Sequence, residues 1–459
     1  MDRKIIDRLR KIIGPDGVLT SPEDLAVYSY DGALEDGCPD VVVLPRTTGQ
    51  VSQVVALAAQ ERLPIVTRGM GSGLAGGSVP QLGGIVMAMT RMNRILEIDR
   101  VNATAQVEAG IVTADLQASV EKLGLFYPPD PSSIRESTIG GNIACNAGGP
   151  RCLKYGVTGN YVLGLTVVLA DGRILQIGNK CIKDVVGYDL LSLFTGSEGT
   201  LGILTEALLR LTAKPKFTRT ALVEFPSLDD ASRTVNAILL AGILPASLEL
   251  MDETAIACVE EAMHPGLPLD VEAVLIIESD GAEEAFVLSE MDAVARICAA
   301  NGARGVKVAR DEAERARLWE ARRSVTAALA RKAPNKLGED ITVPRAVIPE
   351  AVRRLKALSQ EHGLPIVIFG HAGDGNLHPN ILFDRRNPAE VDKVGKIVAA
   401  EFALALELGG TLSGEHGVGV MKRPYMQQAL GPLSLEIQKR IKSALDPLNI
   451  LNPGKVFPE

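Results

Sequence analysis

The feature that most restricts the fold of this chain is a glycine-rich stretch, VTRGMGSGLAGGSVP at 66–80, which directly follows a predicted strand. Residues 71–76 of this stretch have the GxGxxG spacing of a dinucleotide-binding turn, and Glu97 follows 21 residues after them. In a Rossmann fold a helix must begin at these glycines, so that its N-terminus faces the pyrophosphate. Pro80 and the Gly83-Gly84 pair leave no room for such a helix. The sequence therefore excludes a Rossmann turn at this position.

The glycine-rich loop could still bind an anion without a helix. Glycines lack a Cβ, so consecutive backbone N–H groups can point into one concavity that suits a pyrophosphate. A flavin dinucleotide would fit such a loop. A solvent-facing glycine-rich turn is an equally good interpretation of the motif taken alone.

Length and charge limit the function classes that need to be considered. The chain has 459 residues and is 46% hydrophobic, which is enough for two or three domains with sizeable cores. Its net charge is −8 and no basic stripe is interleaved with aromatics, so we expect no nucleic-acid surface. The N-terminus has no secretion-signal pattern and no window holds 18 uninterrupted apolar residues. We therefore expect a cytoplasmic protein without a transmembrane segment.

Hydrophobic periodicity divides the chain into regions of different character. Residues 41–89 show strands and one helix around the glycine-rich loop, as in a nucleotide-sized α+β unit. A second sheet-like region follows from 95 to about 212, and it contains the Gly- and Pro-rich loop at 127–150. After about residue 220, strands and helices alternate again, which suggests a separate α+β domain on an antiparallel sheet.

Two of the five histidines stand seven positions apart in GHAGDGNLHPN at 370–380. His371 and His378 are too far apart for one helical face, but the Asp-Gly-Asn turn between them can fold the chain back. Divalent metal ions take imidazole nitrogens together with a carboxylate oxygen, and Glu415 in SGEHGVG offers one. The motif alone fits a hairpin with polar ends equally well. These residues alone leave both interpretations open.

Nine stretches, in this order and spacing, resemble one family over nearly the whole chain. They are PRTTGQVSQVV (45–55), TRGMGSGLAGG (67–77), PPDPSS (128–133), STIGGNIACNAGGP (137–150), YGVTGNYV (155–162), GSEGTLGIL (196–204), GHAGDGNLHPN (370–380), SGEHGVG (413–419) and LDPLNILNPGK (445–455). The family is the flavin-dependent 2-hydroxy-acid dehydrogenases of the vanillyl-alcohol-oxidase fold, in the branch of glycolate oxidase D-subunits, D-lactate dehydrogenases and D-2-hydroxyglutarate dehydrogenases.

The resemblance implies an α+β fold with three parts. A FAD-binding domain of two subdomains would occupy residues 1–215, and a substrate-cap domain on an antiparallel sheet would occupy 216–410. A C-terminal helical segment, 411–459, would return to the FAD-binding domain.

The resemblance also implies which residues bind FAD. Those around the diphosphate would be Pro45, Arg68, Gly69, Gly71, Ser72 and Gly73. Those along the rest of the cofactor would be Pro129, Ser132, Ser133, Gly140, Gly141, Asn142, Gly148, Gly149 and Ile203. Some relatives carry a histidine in these loops that bonds covalently to the flavin. This chain has Ser72 after RGMG and no histidine before His264, so we expect non-covalent FAD.

The family pattern further implies a metal site with a base beside it. Its ligands would be His371, His378 and Glu415, and His416 would be the general base. Zinc would fit, and so would manganese or iron, because a set of two histidines and a carboxylate does not discriminate between them.

The substrate carboxylate would be held by Arg322, Thr326 and Lys336. Arg322 and Thr326 are four apart on a helix predicted within 318–336, and so would share a face. Arg322 is preferred to Arg323 because the family pattern counts three residues from the tryptophan, here Trp319. The other interpretation is that these charges only solvate the helix.

The implied activity is oxidation of a small D-2-hydroxy acid, D-lactate or glycolate, to the 2-oxo acid by metal-assisted hydride transfer to flavin N5. The six cysteines show no iron–sulfur spacing, so the electrons would pass to a partner, an iron–sulfur subunit or an electron-transferring flavoprotein. That partner could also make the chain peripheral to a membrane. The alternative is a non-catalytic FAD-carrying subunit of an electron-transfer complex, and such paralogues lack the histidine motifs.

Overall fold

The computed structural model describes residues 1–458, which form two compact units. The first unit consists of Met1–Gly148, Val157–Lys214 and the segment that begins at Glu415. The second consists of Gly149–Gly156 and Pro215–Gly414. The short Gly149–Gly156 segment thus belongs to the second unit, although it lies inside the range predicted for FAD binding.

Fifteen helices and nineteen strands, numbered along the chain, make up these units. The helices are α1 (Arg3–Ile13), α2 (Pro22–Val27), α3 (Thr48–Glu61), α4 (Thr113–Glu121), α5 (Ile139–Cys145), α6 (Cys152–Tyr155), α7 (Leu190–Phe194), α8 (Leu228–Leu240), α9 (Glu253–Met263), α10 (Glu284–Ala300), α11 (Glu312–Arg323), α12 (Val325–Leu329), α13 (Ile348–His362), α14 (Pro388–Glu407) and α15 (Met426–Leu445). The strands are β1 (Val18–Leu19), β2 (Val41–Val43), β3 (Ile65–Arg68), β4 (Ile85–Ala88), β5 (Ile95–Asp99), β6 (Thr104–Glu108), β7 (Leu125–Phe126), β8 (Val162–Val168), β9 (Ile174–Gly178), β10 (Ile203–Arg210), β11 (Thr212–Ala213), β12 (Phe217–Phe225), β13 (Ser247–Asp252), β14 (Ala273–Gly281), β15 (Gly305–Val308), β16 (Asn335–Gly338), β17 (Ile341–Thr342), β18 (Ile366–His371) and β19 (Asn376–Phe383).

The first unit contains a four-stranded sheet of order β1-β2-β4-β3, in which β2, β4 and β3 are parallel. Helix α3 covers it because Val51, Val54, Val55 and Ala58 recur at helical spacing and are fully buried. Thr47 caps this helix by accepting a hydrogen bond from Gln50 N. After β3 the chain runs as a loop from 69 to 84, as the sequence predicts.

A second sheet in the first unit is antiparallel, with the order β5-β6-β10-β8-β9. Strands β8 and β9 form the hairpin that Asp171-Gly172 predicts, with Gly172 in a left-handed conformation (φ 87°). Ile203 and Val168 of this sheet join the hydrophobic core that also contains β2, β3 and α3.

The C-terminal segment is part of the first unit. Leu451 lies in the core beside Ile65, and Ile65 N donates to Ile450 O at 2.7 Å. The carboxylate of buried Glu198 accepts from the backbone N–H groups of Val418 and Gly419, each at 2.7 Å. The segment that begins at Glu415 therefore completes the unit that also contains Met1–Gly148.

The second unit is built on an eight-stranded antiparallel sheet. Its order is β15-β12-β14-β13-β18-β19-β16, and β17 also pairs with β19. Helices α9, α11 and α12 pack on the face that carries Leu222, Met251 and Ile276. The alternate strand residues Leu250 and Leu275 are also fully buried, and α8, α10 and α13 contact the same strands. Both faces of this sheet are thus covered.

One predicted helix is in fact two. The continuous helix expected around 318–336 ends at Arg323, and α12 begins at Val325. Between them the Ser324 hydroxyl donates to Glu320 O at 2.7 Å, a local bond that competes with the helical pattern. Arg322, before this break, is buried, and Thr326, after it, is exposed.

Across residues 1–458, no helix combines the length and the apolar character that crossing a bilayer requires.

A buried ion pair that closes the C-terminal segment gives a stability prediction. Lys442 Nζ donates to Thr200 O at 2.8 Å, to Leu451 O at 2.9 Å and to the buried Asp446 carboxylate. Lys442→Met leaves that carboxylate without a counter-ion, so we expect a loss of about 3–5 kcal/mol in the free energy of unfolding, measured by urea denaturation with circular dichroism. The control is Arg440→Met, which breaks an exposed pair with Glu436 on the same helix and should cost less than about 0.5 kcal/mol. Equal losses in the two variants would contradict the prediction.

Candidate active site

The GHAGDGNLHPN motif forms the β18–β19 hairpin that the turn residues predict. The strands pair antiparallel, with Phe369 opposite His378 and His371 opposite Asn376. Gly375 N donates to His371 O at 3.2 Å to close the turn. Gly375 has φ 90°, and a Cβ there would lie 2.1 Å from the Val343 carbonyl oxygen, so only glycine fits. This register places both histidines on one face of the sheet.

His371 and His378 are buried next to each other. One ring nitrogen of each lies within 4.8 Å of the other, and the rings meet edge to face with centroids 5.1 Å apart. His371 Nδ1 lies 2.8 and 2.9 Å from the two carboxylate oxygens of Glu249, which is fully buried on β13. The pair has the donor types and the spacing of two metal ligands.

Arg322 lies on the other side of Glu249. Its Nη2 is 2.7 Å from Glu249 Oε2, and its guanidinium stacks over the Phe369 ring at 5.0 Å. The ion pair is not aligned as a hydrogen bond, and Arg322 Nε and Nη2 find no acceptor among the described residues. Burial acts to raise the pKa of Glu249, but the charges of His371 and Arg322 hold it below its usual value.

The two neighbouring arginines have different environments. Arg322 is 3% exposed, whereas Arg323 is exposed and stacks on the Trp319 ring at 5.6 Å. Lys336 on β16 pairs with Leu382, four residues after His378 on β19, and so projects from the same face as His378. Burial lowers the pKa of Lys336. Arg322 and Lys336 thus place two basic side chains at the face that carries the histidines.

A second buried carboxylate, Asp340, lies near His378. One of its oxygens is 3.9 Å from His378 Nδ1 and accepts from Asn376 Nδ2 at 2.7 Å. The other accepts from Ser413 Oγ at 2.7 Å and Gly414 N at 3.0 Å. Asp340 therefore fixes the end of the second unit against the hairpin.

Glu415 and His416 come directly after Gly414 and begin the last segment of the first unit, where both are half-buried. Gly414, the last residue of the second unit before them, donates its N–H to Asp340 at 3.0 Å.

Sequence reasoning missed Glu249 and Asp340. Each is an acidic residue at a buried position, Glu249 between Leu248 and Leu250 and Asp340 before Ile341. A charge inside an otherwise apolar strand is the one signal that marks Glu249, because such a charge needs a partner.

The residues predicted to bind FAD lie in the first unit, except Gly149, and two of their loops approach each other there. Pro45 follows β2 and Gly69 follows β3, and the carboxyl ends of these parallel strands share one edge of the sheet. A Cβ on Gly69 would lie 2.2 Å from Thr138 Oγ1, so the glycine lets the 67–77 loop approach the start of α5. Gly140, Gly141 and Asn142 lie in the first turn of α5.

Several of these residues support the loops through their own contacts. Arg68 Nη1 donates to Tyr30 O at 2.8 Å, and a Cβ on Gly71 would lie 1.8 Å from Arg68 Nη2. Arg68 therefore supports the loop that holds Ser72 and Gly73. The Ile203 side chain is in the hydrophobic core, so only its backbone can face a ligand.

The second predicted loop is held in a similar way. Pro129 O accepts from Gln117 Nε2 at 3.0 Å, and Ser133 O accepts from Ser137 N at 2.7 Å. Ser132 in this loop is exposed. Gly148 ends a segment of the first unit, and Gly149 begins the short segment of the second.

Comparison with known families matches both parts of the chain. Residues 39–178 match the family described as FAD binding domain, and residues 214–456 match the family described as FAD linked oxidases, C-terminal domain.

Known proteins resemble this chain over almost its full length. It is 46% identical to a glycolate oxidase subunit GlcD of Bacillus subtilis over 99% of this chain and 97% of that protein. It is 35% identical to a D-lactate dehydrogenase of Anaerostipes hadrus over 97% and 96%.

A solved structure confirms the predicted α+β fold of the vanillyl-alcohol-oxidase type. The structure of p-cresol methylhydroxylase with substrate bound superposes with a TM-score of 0.83 at 19% identity, over 99% of this chain and 96% of the other. The family matches and these full-length relatives together show that the chain belongs to the FAD-linked oxidases and is an FAD-dependent oxidoreductase.

Proposed function

We propose that this protein oxidises a small D-2-hydroxy acid, D-lactate or glycolate, to the 2-oxo acid, with non-covalently bound FAD as the electron acceptor. The observation that carries the proposal is a buried group in which Glu249 contacts both His371 and Arg322. An imidazole is a side chain that binds metal ions, and a guanidinium is one that binds carboxylates. The names of the relatives, glycolate oxidase subunit and D-lactate dehydrogenase, support the same substrate class.

The residues on the sheet face fit a divalent metal ion. His371 and His378 supply buried imidazole nitrogens within 4.8 Å of each other, and Glu415 would add a carboxylate oxygen. This donor set suits Zn²⁺, and Mn²⁺ or Fe²⁺ as well. When bound, such an ion would lower the pKa of the substrate hydroxyl.

Arg322 would hold the substrate carboxylate. Its Nη2 is ion-paired with Glu249, but its Nε is buried and has no acceptor among the described residues, which suits a guanidinium that receives a carboxylate from a ligand. Lys336 projects from the same face and would add a second positive charge. Thr326, the third residue predicted to hold the carboxylate, is exposed on α12.

His416 would act as the general base. The substrate would lose its hydroxyl proton to His416 and its Cα hydrogen as a hydride to flavin N5, which together leave a 2-oxo acid. FAD supplies the two-electron acceptor for this oxidation. Glu415 and His416 are adjacent in the chain, so the proposed metal ligand and the proposed base are positioned by the same short segment.

A partner protein would take the electrons from the reduced flavin. The first of the two relatives is named as a subunit, which supports an assembly. The sequence shows no iron–sulfur cysteine spacing, so an iron–sulfur subunit or an electron-transferring flavoprotein would receive the electrons.

Anaerobic titration of the purified yellow protein tests the proposal directly. We expect D-lactate or glycolate to bleach the flavin absorbance without added nicotinamide cofactor, and L-lactate to bleach it much more slowly. D-2-hydroxyglutarate is included as the longer acid. A protein that none of the four acids reduces would refute the proposal and favour a non-catalytic FAD-carrying subunit.

Comparison of Arg322→Ala with Arg323→Ala tests carboxylate binding. A charge-assisted hydrogen bond contributes about 1.5–3 kcal/mol, so Arg322→Ala should raise the apparent KM by about 10- to 150-fold. FAD content, measured by absorbance, should not change. Arg323 is the matched control because it is the next residue in the chain, yet it is exposed and its guanidinium stacks on the Trp319 ring. A larger effect in the Arg323 variant would show that the wrong arginine has been assigned.

Variants of Glu415 and His416 separate the proposed ligand from the proposed base. Glu415→Gln should lower bound metal per chain, and excess Zn²⁺ or Mn²⁺ should restore part of the activity by mass action. His416→Ala should keep metal and FAD but slow flavin reduction by about 10²- to 10⁴-fold in stopped-flow measurements.

Two outcomes would change these assignments. Full metal content in the Glu415 variant together with metal loss in the His416 variant would reverse them. A metal-stripped wild-type protein that reduces its flavin at full rate would rule out a metal-assisted reaction.

A further inference from the structure

Glu249 contacts two side chains that have different proposed ligands. We propose that this carboxylate is a shared positioning residue: it orients His371 toward the metal ion and holds Arg322 in place for the substrate carboxylate. The inference rests on the proposed function and adds to it that one buried residue supports both binding events.

The geometry at His371 fixes the role of each ring nitrogen. His371 Nδ1 lies 2.8 and 2.9 Å from the two oxygens of Glu249. An ionised carboxylate can only accept, so Nδ1 carries the hydrogen and Nε2 offers its lone pair to a metal ion. A carboxylate behind a ligating histidine also prevents the ring from rotating and makes the nitrogen more basic.

Arg322 uses the same carboxylate as its counter-ion. Arg322 is 3% exposed and its Nη2 lies 2.7 Å from Glu249 Oε2. A buried guanidinium without a counter-ion would be costly, so Glu249 stabilises the charge that a substrate carboxylate needs. The Phe369 ring, 5.0 Å from the guanidinium, supports it on the sheet side.

The contact of Glu249 with both His371 and Arg322 follows from the strand register. Glu249 lies on β13 and His371 on β18, which pair through Leu250–Gly370 and Met251–Phe369. Arg322 reaches the same carboxylate from α11, which packs on this face. One oxygen pair thus serves a strand residue and a helix residue, so a change in Glu249 must affect both.

A purely structural salt bridge would behave differently. It would cost stability when broken but would leave metal affinity unchanged. Glu224 offers the matched control, because it is a buried glutamate of the same sheet that pairs with Arg304 at 2.8 Å and with Lys307. Neither Arg304 nor Lys307 belongs to the proposed metal or substrate site.

The first measurement is metal affinity in the absence of substrate. Full-length flavoprotein is stripped with a chelator and titrated with Zn²⁺ or Mn²⁺ against a fluorescent competitor. Glu249→Gln should weaken binding by about 10- to 100-fold, the usual effect of losing the partner of a ligating histidine. Glu224→Gln and Arg322→Ala should leave metal affinity unchanged.

The second measurement is substrate binding at saturating metal. In anaerobic flavin reduction by D-lactate, Glu249→Gln and Arg322→Ala should each raise the apparent KM, with smaller changes in the limiting reduction rate. The double variant should be no worse than the more affected single one, because both act on the same interaction. Full additivity would show that Glu249 does not act through Arg322.

The outcomes separate this inference from the proposed function. A wild-type protein that binds neither metal ion would refute the metal part of the proposed function, and the inference with it. If the wild-type protein binds metal and Glu249→Gln binds it with the same affinity, the inference is overturned while the proposed function stands.

If Glu249→Gln does not fold, the wild-type protein still decides the question. Imidazole ¹⁵N spectra, with His371 identified by its loss in His371→Gln, should show a hydrogen on Nδ1 and a Nε2 signal that shifts on Zn²⁺ addition. A hydrogen on Nε2 would overturn the inference.

Discussion

The arrangement of the candidate site depends on the pairing register of β18 and β19. Successive strand residues point to opposite faces, so a slip of one residue would move His378 away from His371 to the far side of the sheet. The turn prevents this slip because its position next to the Val343 carbonyl accepts only glycine, which fixes Gly375 there. Glu249 on β13 and Lys336 on β16 are then aligned to the histidines by ordinary ladder pairing.

This face of the sheet combines two environments that rarely occur together. Most of it is a hydrophobic cluster under α9, α11 and α12, yet it also buries the Arg322 guanidinium, the imidazoles of His371 and His378 and several carboxylates, Glu249 among them. In such surroundings a charge pair is strong and an unpaired charge is costly. The polar groups are therefore interdependent, and the removal of one leaves its partner in an environment built for both.

Local signals made part of this structure predictable from sequence. Glycines without room for a helix excluded a Rossmann turn, and Asp-Gly-Asn between two strands indicated the hairpin. Glu249 was missed because its partner His371 is 122 residues away, and only strand register joins them. The break at Ser324 was missed because the residues on both sides favour helix, and the hydroxyl bond to Glu320 is a single local contact. The roles of the site residues remain proposals, while the α+β fold was predictable from motif order along the whole chain.

The placement of the C-terminal segment has a consequence for synthesis of the protein on the ribosome. Leu451 completes the core beside β3, and Lys455 Nζ donates to Val79 O at 2.7 Å in the glycine-rich loop. Every residue of the second unit precedes this segment, so that unit can fold while translation continues. The first unit, although it contains the N-terminal residues, is complete only once this segment has been made. The glycine-rich loop can therefore reach its final contacts only after Lys455 has been added to the chain.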